Sequence, residues 1–153
     1  MLKVGQKCRQ LASNSDQVLV LKPFDIRDYS KHQTSLSSII EKFGKLDIMV
    51  NNIGRTQRAA FQEIDDRTDR DIFDINVFGQ IALSRVVLKY FYENKKDGHF
   101  VVTSSVAGKF GAPNSASYTG SKHALIGYFE TLRSEAFSRG VNVTIVCPGE
   151  SVF

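Results

Sequence analysis

Tryptophan is absent from these 153 residues, cysteine and methionine occur twice each, and proline three times. Cys8 and Cys147 lie far apart and outside any metal-ligand spacing, so no disulfide framework is expected and the usage fits a reducing compartment. Cys147 closes an apolar run and reads as a small core residue. The histidines, His32, His99 and His123, make no HxxxH-like pair, so no metal site is expected. No apolar run approaches the roughly 18–20 residues that span a bilayer. The opening, MLKVGQKCRQ, has no signal-peptide core. The chain as given therefore reads as soluble and cytoplasmic.

One-sided charge is also missing. The net charge of +4 comes from scattered Lys and Arg rather than a basic stripe interleaved with aromatics, which argues against nucleic acid as a partner. The densest charge run, residues 63–74, mixes six acids with Arg67 and Arg70, as a solvated helix face does. With 42% hydrophobic residues, the chain can bury the core of one domain, spanning 1–153.

What is present concentrates between residues 101 and 125, VVTSSVAGKFGAPNSASYTGSKHAL. An apolar strand ends in a hydroxyl pair, a Gly/Pro-punctuated loop follows, and a helix begins. Tyr118 and Lys122 are four apart and share one helix face, while Ser105 ends the strand. A hydroxyl, a phenol and an ammonium converging there could move a proton to or from an oxygen while another agent moves a hydride. Alone, a YxxxK spacing arises by chance in about one such chain in three, and each residue also has an ordinary structural role as turn former, packing aromatic or solvated cation.

Around that segment, periodicity predicts alternating helices and strands. Residues 1–12 carry a loose helical pattern, 17–24 read as a strand with Pro23 near its end, and 29–43 read as a helix stopped by Gly44. Residues 46–50 are a short apolar run, expected of a strand buried on both faces of a parallel sheet, delivering Asn51 and Asn52 to its carboxyl end. Residues 75–92 read as a long helix with a polar Asn76 inside it, although Asn competes for backbone hydrogen bonds there. Residues 99–103 and 141–146 complete a doubly wound parallel pattern, an α/β fold whose ligands sit at strand carboxyl ends. Asp25, after the first of these strands, reads equally as an end-of-strand turn residue or a ligand contact.

Taken together, NNIG at 51–54, Asn76, Ser105, Tyr118, Lys122 and the CPG at 147–149 resemble the short-chain dehydrogenase/reductase family. The runs LDIMVNNIG and YTGSKHALIGYFETLRSEA are similar to its member 7 branch. The resemblance implies a Rossmann-like sheet and an NAD or NADP cofactor. It also implies a small-molecule secondary alcohol or carbonyl substrate, of steroid-like or retinoid-like kind, and a homodimer through helices 77–92 and 118–137. It implies that Tyr118 is the acid/base, that Lys122 favours its phenolate and reaches the nicotinamide ribose, and that Ser105 binds the carbonyl oxygen. Asn76 would hold a water for the proton relay. Asp25, Ile26, Asn51, Ile53, Gly54, Pro148 and Gly149 would join Tyr118 and Lys122 in facing the cofactor. Ile53 departs from the family's alanine.

The resemblance is partial. The family's TGxxxGxG turn, whose amides hold the pyrophosphate, has no counterpart among the eleven glycines. In the family pattern the chain opens at the helix after the second strand, so the fold expected is a partial doubly wound sheet missing the first two strands and the last. Residues 150–153 read as the start of a substrate loop. The expectation is an inactive truncated chain; the alternative is a non-enzymatic module pairing through the two long helices, and a longer parent would associate with the endoplasmic reticulum.

Overall fold

The computed structural model describes residues 2–149, so the expected start of a substrate loop at 150–153 lies outside the described residues. Helix α1 covers Leu2–Leu11 and α2 covers Ser30–Phe43. Strand β1 (Ile48–Asn51) follows, then α3 (Asp66–Phe73), a π-turn (Asp74–Phe78) and α4 (Gly79–Glu93). Strand β2 (Gly98–Thr103), α5 (Ala116–Ala136) and β3 (Val141–Val146) complete the order. The strands form one parallel sheet, β1-β2-β3, with Met49 opposite Phe100 and Val101 opposite Thr144.

Local chemistry sets the boundaries. Asp65 caps α3 by accepting the Thr68 amide at 2.7 Å, which also holds its carboxyl below the usual range. Gly44 and Gly140 end their helical segments with φ of 74°, a left-handed conformation that glycine adopts without penalty.

The core lies on one side of the sheet. Phe100 and Val102 from β2, with Val141 and Val143 from β3, pack beneath Val87 and Phe91 of α4 and Leu125 and Phe129 of α5. The Phe100 ring meets Phe91 edge-on at 5.7 Å and Phe129 at 6.4 Å. Such aromatic pairs contribute about 0.5–1.5 kcal/mol beyond their burial. Leu36 of α2 extends this core toward α4.

Three expectations need correction. Residues 17–24 form no strand: Gln17 closes a short turn at Ser15–Gln17, and Val18 after it is extended but unladdered. A strand needs neighbours for its N–H and C=O groups, and β1 is an edge of the sheet. Nor are the strands buried on both faces: Ile48 is 55% exposed and Val50 60%. Their apolar sequence fits a sheet covered twice, whereas the helices packed on it here cover one face. Cys147, finally, is half-buried rather than in the core, because it lies just beyond the end of β3. No helix among the described residues is long and apolar enough to cross a membrane.

Candidate active site

The carboxyl ends of β1 and β2, the π-turn and the first turns of α5 converge on Lys122. This lysine is only 4% exposed, its Nζ donates to the Thr103 carbonyl at 2.9 Å, and it lies 5.7 Å from the centroid of the Tyr118 ring. Burial pushes the ammonium below the usual lysine range, with the Cys147 thiol pulling weakly the other way. The site thus sets a buried cation beside a half-buried phenol.

Asn76 sits at the centre of the π-turn, fully buried. Its Oδ1 accepts the Arg55 amide at 2.7 Å, while its Nδ2 donates to the Arg55 carbonyl at 2.9 Å and to Ser121 Oγ at 2.9 Å. Ser121 in turn donates to the Tyr118 carbonyl at 2.7 Å. The side chain that weakens the helix in sequence thus staples the loop after β1 to α5, and the widened turn lets it reach both. π-turns inside α-helices often occur at functional sites for this reason.

Ser105 is half-buried and accepts the Ala107 amide at 3.1 Å, capping the turn at Val106–Gly108. That leaves its O–H proton free to donate. Its neighbour Ser104 is buried and donates to the Lys122 carbonyl at 3.0 Å, which seats the strand end on α5. The structure therefore brings Tyr118, Lys122 and Asn76 into one connected set, with Ser105 held by its own turn on the strand end before α5.

The candidate nucleotide contacts divide. Ile53 is exposed, and a Cβ at Gly54 would lie 3.5 Å from Lys122 Nζ and 3.9 Å from Asn76 Oδ1, so the glycine leaves the space over the lysine open. Pro148 and Gly149 are exposed at the carboxyl end of β3, with the Pro148 carbonyl accepting the Val106 amide at 3.0 Å. Asn51, by contrast, is buried and donates to Ser84 Oγ of α4 at 3.0 Å, away from the lysine. Asp25 is engaged by Arg27, which also reaches Asp71 at 3.3 Å, and this pairing holds the Asp25 carboxyl at about 2. Ile26 is buried against Gly79.

Sequence reasoning missed Ser104, Ser121 and Gln80. Ser121 stands three residues after Tyr118 and Gln80 four after Asn76, a helical spacing that could have flagged both. A groove of about 580 Å³ runs between α4 and α5, lined by Ile81, Leu88, Ala124, Tyr128 and Leu132 among others.

The family model for short chain dehydrogenases matches residues 2–151. Human dehydrogenase/reductase SDR family member 7 is 32% identical over 148 residues, 96% of this chain and 43% of that protein. Rat member 7B is 36% identical over 146 residues, 92% of this chain and 45% of that protein. Among solved structures, a short-chain dehydrogenase from Streptomyces avermitilis is similar with a TM-score of 0.78 and 33% identity, over 84% of this chain and 47% of that one. Carveol dehydrogenase from Mycobacterium avium, in complex with NAD, superposes with a TM-score of 0.86 at 26% identity, over 96% of this chain and 52% of that one. The chain spans less than half the length of these curated relatives.

Proposed function

Because the chain belongs to the short-chain dehydrogenase family, we propose that its site interconverts a secondary alcohol and a carbonyl, with Tyr118 as the proton donor and acceptor. The observation that carries this reading is the buried Lys122 ammonium beneath the Tyr118 ring. In reduction, the Tyr118 hydroxyl gives its proton to the substrate oxygen; in oxidation it takes one back. Lys122 supplies the nearby positive charge that favours the phenolate. Ser105, one lone pair of which accepts the Ala107 amide, donates its O–H to the same oxygen and steadies developing charge. Asn76 keeps Arg55 and Ser121 in place around the lysine, at the position where the family's proton relay runs. Exposed Ile53, Phe61 and Phe110 on the loops after β1 and β2 support an apolar substrate, of steroid-like or retinoid-like kind.

An NAD or NADP cofactor supplies the hydride in this chemistry. The residues present fit its nicotinamide end: Gly54 leaves room over Lys122, and Tyr118 and Lys122 offer donors there. The pyrophosphate end has no glycine array in these 153 residues, and Asp25 is already paired. The chain therefore carries the proton-transfer half of the site and does not turn over a dinucleotide unaided. The groove between α4 and α5 supports pairing of two such chains through these helices as a second role.

Thermal unfolding of the 153-residue chain with saturating NADPH or NADH should show no shift, whereas tight binding at a hundredfold excess over Kd adds about 2.7 kcal/mol. Sedimentation of the same samples should show a dimer; a monomer at all concentrations would sink the pairing. Grafted into a complete family member, residues 98–149 should sustain turnover. Tyr118→Phe in that chimera should cut it by roughly 100-fold or more, and retained turnover would remove the acid/base assignment.

A further inference from the structure

Gln80, one helical turn after Asn76, is fully buried and takes no part in the proton-transfer set. Its Nε2 donates to two carbonyls: that of Ile53 in the loop after β1, at 3.0 Å, and that of Asn76 in the π-turn. Both partners only accept, so the atom facing them is the amide nitrogen and not the oxygen. The other amide atom, Oε1, is buried with no hydrogen-bond partner among the described residues. An orphaned buried acceptor opposes folding, and an apolar side chain of similar length would avoid it. Such a side chain could not hold two site-bearing segments together.

The links around the lysine form a pattern. Gln80 fixes residue 53 through its carbonyl, Asn76 fixes residue 55 through both its amide and its carbonyl, and Gly54 between them faces Lys122 Nζ. Asn76 is itself tied to α5 through Ser121. We propose that Gln80 is a positioning residue of the active site, whose amide clamps the loop after β1 onto the π-turn and so sets how closely the peptide at 54 approaches the lysine. This inference takes its catalytic meaning from the function proposed above, but the clamp itself is a property of the fold.

Releasing the clamp should let the peptide at 54 drift and admit water to Lys122, whose other close neighbours are the Thr103 carbonyl that accepts from its Nζ, the Tyr118 ring and the Cys147 thiol. In the full chain, Gln80→Met keeps side-chain length and removes both donated bonds. Hydrogen exchange by NMR should then show the Arg55 amide opening roughly tenfold faster relative to the Phe100 amide in the core, the scale of one net hydrogen bond. The Lys122 ammonium, followed through its side-chain resonances, should titrate at higher pH than in the unsubstituted chain. Equal acceleration at Arg55 and Phe100, or an unchanged lysine titration, would reduce Gln80 to a general stabiliser and overturn the proposal. If Gln80→Met does not fold, the unsubstituted chain still decides: the Gln80 side-chain amide protons should exchange far more slowly than those of exposed Gln62, and equal rates would overturn the clamp. None of these readouts needs turnover, so a failed acid/base assignment and a failed clamp remain distinguishable.

Discussion

The two faces of the sheet belong to the same three strands and live in opposite environments. On the covered face, Phe100 and Val102 are fully buried under α4 and α5, and the polar groups that join them, Asn76, Ser121 and Lys122, are hydrogen-bonded. On the other, Ile48, Val50 and Val146 stand in the open, with His99 bonded to Thr144 at 2.8 Å beside them. The contrast teaches that the site's organisation depends on the covered face alone. Strand β2 alternates between buried and half-buried residues along its length, so a single strand belongs to both environments.

The largest test of this difference is in the core. Phe100→Ala should lower unfolding stability by about 3–5 kcal/mol, whereas Val50→Ala should stay within about 0.5 kcal/mol; urea midpoints report both. An equal loss at Val50 would mean that something covers the open face in solution. A smaller effect should come from Lys122. Its folded-state pKa is depressed by burial, so the unfolded chain holds that proton more tightly, and stability should rise as pH climbs from the folded value toward the ordinary 10.5. Lys122→Met should flatten that rise, and an unchanged slope would mean the ammonium is solvated. The smallest belongs to the exposed Asp25–Arg27 pair, at the end of the segment that finds no sheet to join. Asp25 titrates at about 2 instead of 3.8, chiefly through the Arg27 side chain. Its contribution is present above 3.8 and lost as pH falls through about 2, so Asp25→Asn should soften acid unfolding slightly in that window. A loss rivalling that of Phe100→Ala would make this rim part of the core's cooperative unit.

Most of the covered face can be read from the sequence, since the periodicity of α2, α4 and α5 and the Tyr118–Lys122 spacing depend on local pattern alone. The same is true of the glycine stops at 44 and 140. Residues 17–24 show the limit: an apolar run closed by Pro23 predicts a strand, but a strand is a relation between segments, and no pattern within one segment reports whether its partner is there. Ile48 and Val50 fail similarly, because hydrophobicity states what a face prefers and not what covers it. Asn76 is visible as a misfit in a helix, whereas the widened turn that makes use of it is not. Gln80 reads as an ordinary helix former until its two carbonyl partners, 27 and four residues away, are known.

The π-turn between α3 and α4 has a further consequence. An α-helix advances about 100° per residue, so one extra residue in a turn rotates everything beyond it by roughly that angle against everything before. From Asp66 to Glu93 the chain runs as one nearly continuous helical rod, yet its first part leans on α5 and its last part on α2 and β1. The widened turn works as an angular gear between these two contacts. Because the phase is set by residue count, deleting any single residue from 74–78 would restore a regular helix and at the same time swing one of its two faces off its partner.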